Sequence, residues 1–346
     1  MTHRPRAARS SRSCARGNLS NEEPRNGDRC RRHRSLRREF AKEAQLMTVA
    51  DLSTQDRYPT RVSSEPALIE RQDPTVWPGV DSGPATTDEL AAHDAKGFHT
   101  VEGLLSPAEV QTYWQELNRL TNDPRVRADE RTVVEKQSNE VRSIFEVHRI
   151  SDLIAELVSD PRVLDRARQI LGSDVYVHQS RINYMPGFRG SGFYWHSDFE
   201  TWHAEDGMPA MRAVSMSIAL TDNYPFNGGL MIMPGAHRTF VSCVGETPDD
   251  NYKSSLKEQK VGVPGEHEIT KLGYEHGIEQ FTGPAGSALW FDSNCMHGSG
   301  NNITPFPRSN IFVVFNSVEN TLVEPFAAES RRPEFVAARD FTPVRR

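Results

Sequence analysis

The chain has 346 residues, enough for one large domain or two small ones, and no internal repeat is visible in it. Hydrophobic residues make up 36%, and no apolar run reaches the ~18 residues a membrane helix needs, so a soluble protein is expected. The net charge of −6 conceals two unlike parts: residues 1–46 hold thirteen basic against five acidic residues, whereas the rest holds 28 against 42, a body poorly suited to nucleic acid.

Residues 1–46 lack hydrophobic periodicity and are dominated by Arg, Ser, Asn and Pro, so they read as a disordered basic tail. An Arg- and Ser-rich stretch without an acid before Glu22 has the composition of a transit peptide, and its charge would also suit a nucleic-acid-binding arm. We favour a third reading, upstream sequence translated in error ahead of a start at Met47. Residues 47–85, rich in proline and charge, are expected to wrap the core as an extended arm.

Helices come next. Thr87 is placed to cap one through Asp88, Glu89 and Leu90, and Ser106-Pro107-Ala108-Glu109 is a capping box with proline at the first helical position, for a helix running to about Leu120. Asp160-Pro161 opens another, with Val163, Leu164, Ala167, Ile170 and Leu171 on one face and Gly172 at its end. From Val175 the character is β: VYVHQSRINYM, FYWHSD, RAVSMSIAL, GLMIMPG, SALWFD and SNIFVVFNSV, separated by Gly, Pro and Asn turns. Helices first and short strands after predict an α+β domain over 86–330, with 331–346 as a C-terminal tail. Periodicity alone leaves a sandwich and a jelly roll equally open.

Of four cysteines, Cys14 and Cys30 lie in the basic tail, and neither Cys243 nor Cys295 belongs to a Cys-x-x-Cys pair. A disulfide framework and a structural zinc site are therefore not expected, and Cys295 reads as a small buried residue.

The stretch FYWHSDFETWHAEDGMPAMR (193–212) sets His196 and Asp198 two apart in a segment that reads as a strand, hence on one face. An imidazole and a carboxylate so placed can share a metal ion, and His297 in ALWFDSNCMHGSGNN is the best third ligand. Two His and one carboxylate on one face of an octahedron leave the other face open, the pattern of a non-haem Fe(II) oxygenase. Arg308, at the start of the apolar run Ile311 to Phe315, has the planar fork that binds the far carboxylate of a 2-oxo acid.

The whole block closely resembles the ectoine hydroxylases, a branch of the phytanoyl-CoA dioxygenase family. The resemblance continues through HQSRINYMPGF (178–188), NGGLMIMPGAHRTFVSCVGETPDDNYKSS (227–255) and HGSGNNITPFPRSN (297–310), and so spans roughly residues 55–320. It implies a double-stranded β-helix core with helices packed outside. It implies Fe(II) on His196, Asp198 and His297, 2-oxoglutarate and O2 as co-substrates, and hydroxylation of ectoine to 5-hydroxyectoine with release of succinate and CO2. Arg308, Ser299, Asn183 and Phe193 match the positions around 2-oxoglutarate. Gln179, Thr201, Trp202, Phe291 and Phe312 match those lining the substrate, where an aromatic face such as that of Trp202 suits a desolvated cation.

The same resemblance makes Met47 an ordinary start, and it implies a cytoplasmic homodimer making a compatible solute, without nucleic-acid or membrane partners. Met185 departs from the pattern, because the family carries a lysine there that is associated with the co-substrate. Two alternatives stay open: a hydroxylase of another small cyclic amino acid such as proline, and, in a different class, a zinc hydrolase using the same His, Asp and His. Arg308 separates the second, since a hydrolase has no use for an oxo-acid anchor.

Overall fold

The structure is a computed structural model that describes residues 56–62, 65–135, 139–256 and 259–346. The expectations for the basic tail 1–46, for a start at Met47 and for the first residues of the arm lie outside the described residues.

The strands, numbered in chain order, form two principal antiparallel sheets. The larger runs Phe98–Val101 (β2), Ala288–Asp292 (β11), Ala213–Ala219 (β7), Arg308–Ser317 (β13), Val175–Met185 (β5), Val141–Phe145 (β4) and Thr132–Val134 (β3). The smaller runs Glu279–Gln280 (β10), Leu230–Ile232 (β8), His297–Ser299 (β12) and Phe193–His196 (β6). Ala67–Glu70 (β1), in the arm, pairs with Thr239–Ser242 (β9). This is the α+β jelly roll expected from the resemblance, and every strand pair of the two principal sheets among the described residues is antiparallel.

Strand alternation divides the larger sheet into two chemistries. On β13, Ile311, Val313 and Phe315 join Val214, Met216 and Ile218 of β7 and Trp290 of β11 in a core that faces the helices. The intervening residues of the same strands, Phe312, Val314, Ala213 and Phe291, face the other way, into a second apolar cluster with Phe199 and Trp202. Three helices cover the first face: Pro107–Asn122 (α2), Asp152–Ser159 (α4) and Pro161–Leu171 (α5). In α5, Val163, Leu164, Ala167, Ile170 and Leu171 are all buried there, and each large aliphatic side chain so covered contributes on the order of 1.5–3 kcal/mol. Gly172 ends α5 at φ 63°, a left-handed conformation that favours glycine.

The first helix, Thr87–Lys96 (α1), differs from expectation by one residue at its cap. Thr86, not Thr87, accepts from the Glu89 N–H while Glu89 reaches back to the Thr86 N–H, because the box needs its acid three places on. α2 carries the expected box between Ser106 and Glu109 and runs two residues past Leu120. Pro124–Ala128 (α3), α4 and a helix at Glu266–His276 were not foreseen. Residues 331–346 are bound back onto β5, with Ala338 N–H donating to the His178 carbonyl at 2.9 Å and Val344 N–H to that of Val175 at 2.8 Å.

Candidate active site

Antiparallel pairing of β12 with β6 sets His297 directly opposite His196, with ring centroids 4.2 Å apart. Asp198 does not lie on the strand, as the sequence suggested. It is the first residue of a short helix, Asp198–Thr201 (α6), entered through an extended Ser197 (φ −107°, ψ 129°), so the two-residue alternation survives the change of element. One donor atom from each of His196, Asp198 and His297 falls within 4.8 Å of the others, and all three residues are buried. Among the described residues no other group of His, Cys, Asp and Glu has this geometry.

The donor set suits a divalent metal ion. His196 Nδ1 lies 2.8 Å from the Tyr194 carbonyl and His297 Nδ1 3.0 Å from that of Cys295. A carbonyl only accepts, so each Nδ1 carries the proton and each Nε2 keeps a lone pair for a ligand bond. Burial, helped by the neighbouring His196, brings His297 down to about 4, which keeps it neutral. Burial alone would raise the Asp198 carboxyl, but His297, His196 and Arg181 outweigh it and hold the group below the usual carboxylate range. Ser215 on β7 approaches Asp198 Oδ2 at 3.5 Å.

The three ligands line one wall of a cavity of about 180 Å³ between the two sheets. Another side of it gathers Arg308, Ser299, Asn183 and Phe193. The Arg308 side chain has no hydrogen bond or ion pair with any described residue, its Nε is buried without a partner, and burial draws the guanidinium down to about 10. A cation held in this way is complementary to an anion that comes from outside the fold. The Ser299 hydroxyl accepts from the Phe193 N–H at 3.1 Å, which leaves its own proton to donate. Asn183 accepts from Ser143 at 2.8 Å, so its NH2 remains for the cavity. Met185 sits across the ladder from Arg308, packed between Gly190 and Gly228, either of which would clash with it if it bore a side chain.

Gln179, Thr201, Trp202 and Phe312 line the same cavity, whereas Phe291 stands behind it, fully buried and edge-on to His297 at 5.0 Å. The structure adds Arg181. Its guanidinium lies 4.2 Å above the Phe312 ring and donates to Gln179 Oε1 at 2.7 Å, with Nε unpartnered. Buried arginine–carboxylate pairs brace the segments that carry the ligands. Arg71 clasps Asp292 at 2.7 and 2.9 Å, at the turn leading to His297. Arg61 holds Glu200 at 3.1 Å and Glu205 at 2.6 Å, just after Asp198.

The sequence model of the phytanoyl-CoA dioxygenase (PhyH) family matches residues 93–310, a span containing all three candidate metal ligands and Arg308. The chain is 64% identical over 300 residues to the ectoine dioxygenase of Streptomyces coelicolor, covering 86% of this chain and 100% of that protein. It belongs to the phytanoyl-CoA dioxygenase family, among the ectoine dioxygenases. The family likeness persists at distance, with 51% identity to the ectoine dioxygenase of Bordetella bronchiseptica over 82% of this chain and 93% of that one.

Among solved structures of the family, EctD from S. alaskensis with 2-oxoglutarate and 5-hydroxyectoine superposes with a TM-score of 0.76 at 45% identity, covering 84% of this chain and 97% of that one. The same protein with bound Fe gives 0.76 at 44%, covering 84% and 98%. Glu200 and Glu205 carry the Arg61 brace, which sequence reading missed. Their only signal was a run of acids in a motif whose other acid, Asp198, already had a use.

Proposed function

We propose that this chain is a 2-oxoglutarate-dependent Fe(II) dioxygenase that hydroxylates ectoine at carbon 5, giving 5-hydroxyectoine, succinate and CO2. The observation that carries the reading is Arg308: a half-buried guanidinium with its Nε enclosed and no counter-ion among the described residues, beside a free Ser299 proton, in the same cavity as a His, Asp and His metal face. His196, Asp198 and His297 hold the iron, which when bound supplies the oxidising chemistry with O2 and the oxo acid. Arg308 takes the distal carboxylate of 2-oxoglutarate through a two-point contact, Ser299 donates to the same group, and Asn183 and Phe193 close that side. Arg181, steadied by Gln179, meets the ectoine carboxylate, and Trp202 and Phe312 offer faces to its ring and delocalised cation. Thr201, held by Gln259 at 3.2 Å, borders the same space. Together these contacts fix the substrate in one pose and keep water from the reacting carbon.

The zinc-hydrolase alternative leaves Arg308 unexplained. The reading includes a cytoplasmic homodimer that makes a compatible solute against salt and heat. The domain reading goes with it: a catalytic domain over 86–330 preceded by an arm. The test is to incubate anaerobically purified protein with Fe(II), 2-oxoglutarate and ectoine, admit air, and follow succinate and a product heavier by one oxygen. Succinate without that product refutes the substrate, and the absence of both refutes the chemistry. Light scattering on a sizing column reads the assembly.

A further inference from the structure

The alternation that turns His196 and Asp198 toward the cavity turns the residue between them, Ser197, to the back. There its hydroxyl is buried and donates to Asn294 Oδ1 at 2.9 Å. Asn294 is 1% exposed and the rest of its amide is committed, with Nδ2 donating to the His237 carbonyl at 2.9 Å and to that of Thr239 at 3.1 Å. Its backbone N–H donates to Asp292 Oδ1 at 2.8 Å, on the carboxylate that Arg71 clasps.

The turn 292–295 therefore touches both halves of the metal site. The Ser293 carbonyl accepts from the Phe199 N–H at 2.8 Å, one residue beyond Asp198. The Cys295 carbonyl accepts from His297 Nδ1 at 3.0 Å. Asp198 is thus flanked on both sides by bonds to the turn that also orients His297. It needs such flanks, because its carboxylate makes long contacts with Ser215 Oγ at 3.5 Å and His196 Nε2 at 3.7 Å, neither short enough to aim it. The carboxylate then follows its backbone, and a helix of four residues, Asp198–Thr201, does not hold itself.

We propose that Ser197 is a positioning residue of the metal site, with Asn294 as its anchor. The hydrogen bond between them keeps the Asp198 backbone at the distance from His297 that lets one ion meet all three ligands. The inference rests on reading His196, Asp198 and His297 as metal ligands. Without the hydroxyl, Asn294 Oδ1 is left buried and unpaired, and the turn and the helix start are free to part. A partner acting behind the ligands in this way is worth about 10–100-fold in metal affinity.

The test titrates the full-length protein freed of metal with Co(II) under nitrogen, as wild type, Ser197→Ala and Ile154→Val. Dissociation constants are read from the visible absorption, whose energy and intensity report the number and arrangement of ligands. Ile154 is buried in the core that faces the helices, so removing one methyl there lowers the melting temperature without touching the site. In Ser197→Ala the Co(II) dissociation constant rises about tenfold and the bands shift, whereas Ile154→Val binds within about twofold of wild type with an unchanged spectrum. A Ser197→Ala protein that melts early yet binds Co(II) as the wild type does, with the same spectrum, overturns the proposal. So does equal weakening in both variants, which traces the loss to the fold at large. Should Ser197→Ala not fold, Ser197→Cys has nearly the same size and a far weaker donor, and carries the same expectation and the same refutation. A wild type that takes up no Co(II) sinks the metal reading instead, whatever the variants do.

Discussion

Arg308→Met is expected to raise the melting temperature of the protein without co-substrate and to remove the further rise that 2-oxoglutarate gives the wild type. Burial alone draws the guanidinium some two and a half units below its ordinary value, to about 10, with no carboxylate against it among the described residues. At 1.36 kcal/mol per pKa unit that is roughly 3 kcal/mol, and screening through the open side of the cavity reduces it to about 1–2 kcal/mol. Methionine fills much of the same length without the charge, so the variant gains this amount, on the order of 2–4 °C for a domain of this size. Losing two charge-assisted hydrogen bonds costs about 3–4 kcal/mol in co-substrate binding, a factor of roughly 10²–10³ in KM. At a hundred times its Kd, 2-oxoglutarate stabilises the wild type by ~2.7 kcal/mol, and the variant by almost nothing at the same concentration. Calorimetry under nitrogen with metal present, with and without 2-oxoglutarate, reads both effects. A variant that melts earlier than wild type, or that keeps the co-substrate shift, refutes the assignment of Arg308 as an anchor awaiting its anion.

Asp198→Ala leaves a folded protein that retains little iron and turns nothing over; metal content and activity measured on one sample check it, and normal iron with full activity would remove Asp198 from the site. In Trp202→Ala the ectoine KM rises while 2-oxoglutarate is still decarboxylated without hydroxylation, so succinate formed per 5-hydroxyectoine is the measurement. Met185→Lys lowers the 2-oxoglutarate KM by about 1 kcal/mol, roughly fivefold, and lowers the melting temperature of the co-substrate-free protein, because it sets a second unpaired cation across the ladder from Arg308. Acid destabilises through His99 and His237, each held down to about 4 by burial. Their folded values lie below the unfolded 6.5, so the stability they contribute is complete above pH 6.5 and is lost as pH falls toward 4. Melting curves across that range record it, and His99→Gln flattens them.

The strands were legible where a single period governed them. β13 alternates along its length and β5 does so from Gln179 onward, past a bulge beside Val177, so that the cavity-facing parity of Gln179, Asn183, Arg308 and Phe312 follows from numbering within those stretches. Arg181 shares that parity, which was the signal for its place beside Phe312. The triad was legible because an extended Ser197 preserves alternation even though Asp198 begins a helix. What could not be read was long-range. Arg71 finds Asp292 and Arg61 finds Glu200 across more than a hundred residues, and nothing in the local pattern of an arginine names its distant carboxylate. Phe291 shows another limit, since matching a position does not say which layer a ring occupies, and here the ring stands edge-on to His297. Residues 331–346 looked like a tail because their contacts, backbone hydrogen bonds to β5 together with the Arg332–Asp206 pair and the packing of Phe335 and Phe341, are long-range and leave no periodic mark.

His196 and His297 meet on a single rung between two short strands whose sequences lie about a hundred residues apart. Closing so long a loop is slow and entropically unfavourable, and no local segment can do it in advance. A nascent chain with only its helices and first strands in place therefore holds one imidazole and one carboxylate, too few to grip iron firmly. A complete iron site requires β12 to be docked on β6, so iron retention by a purified sample doubles as an assay of how much of it is whole.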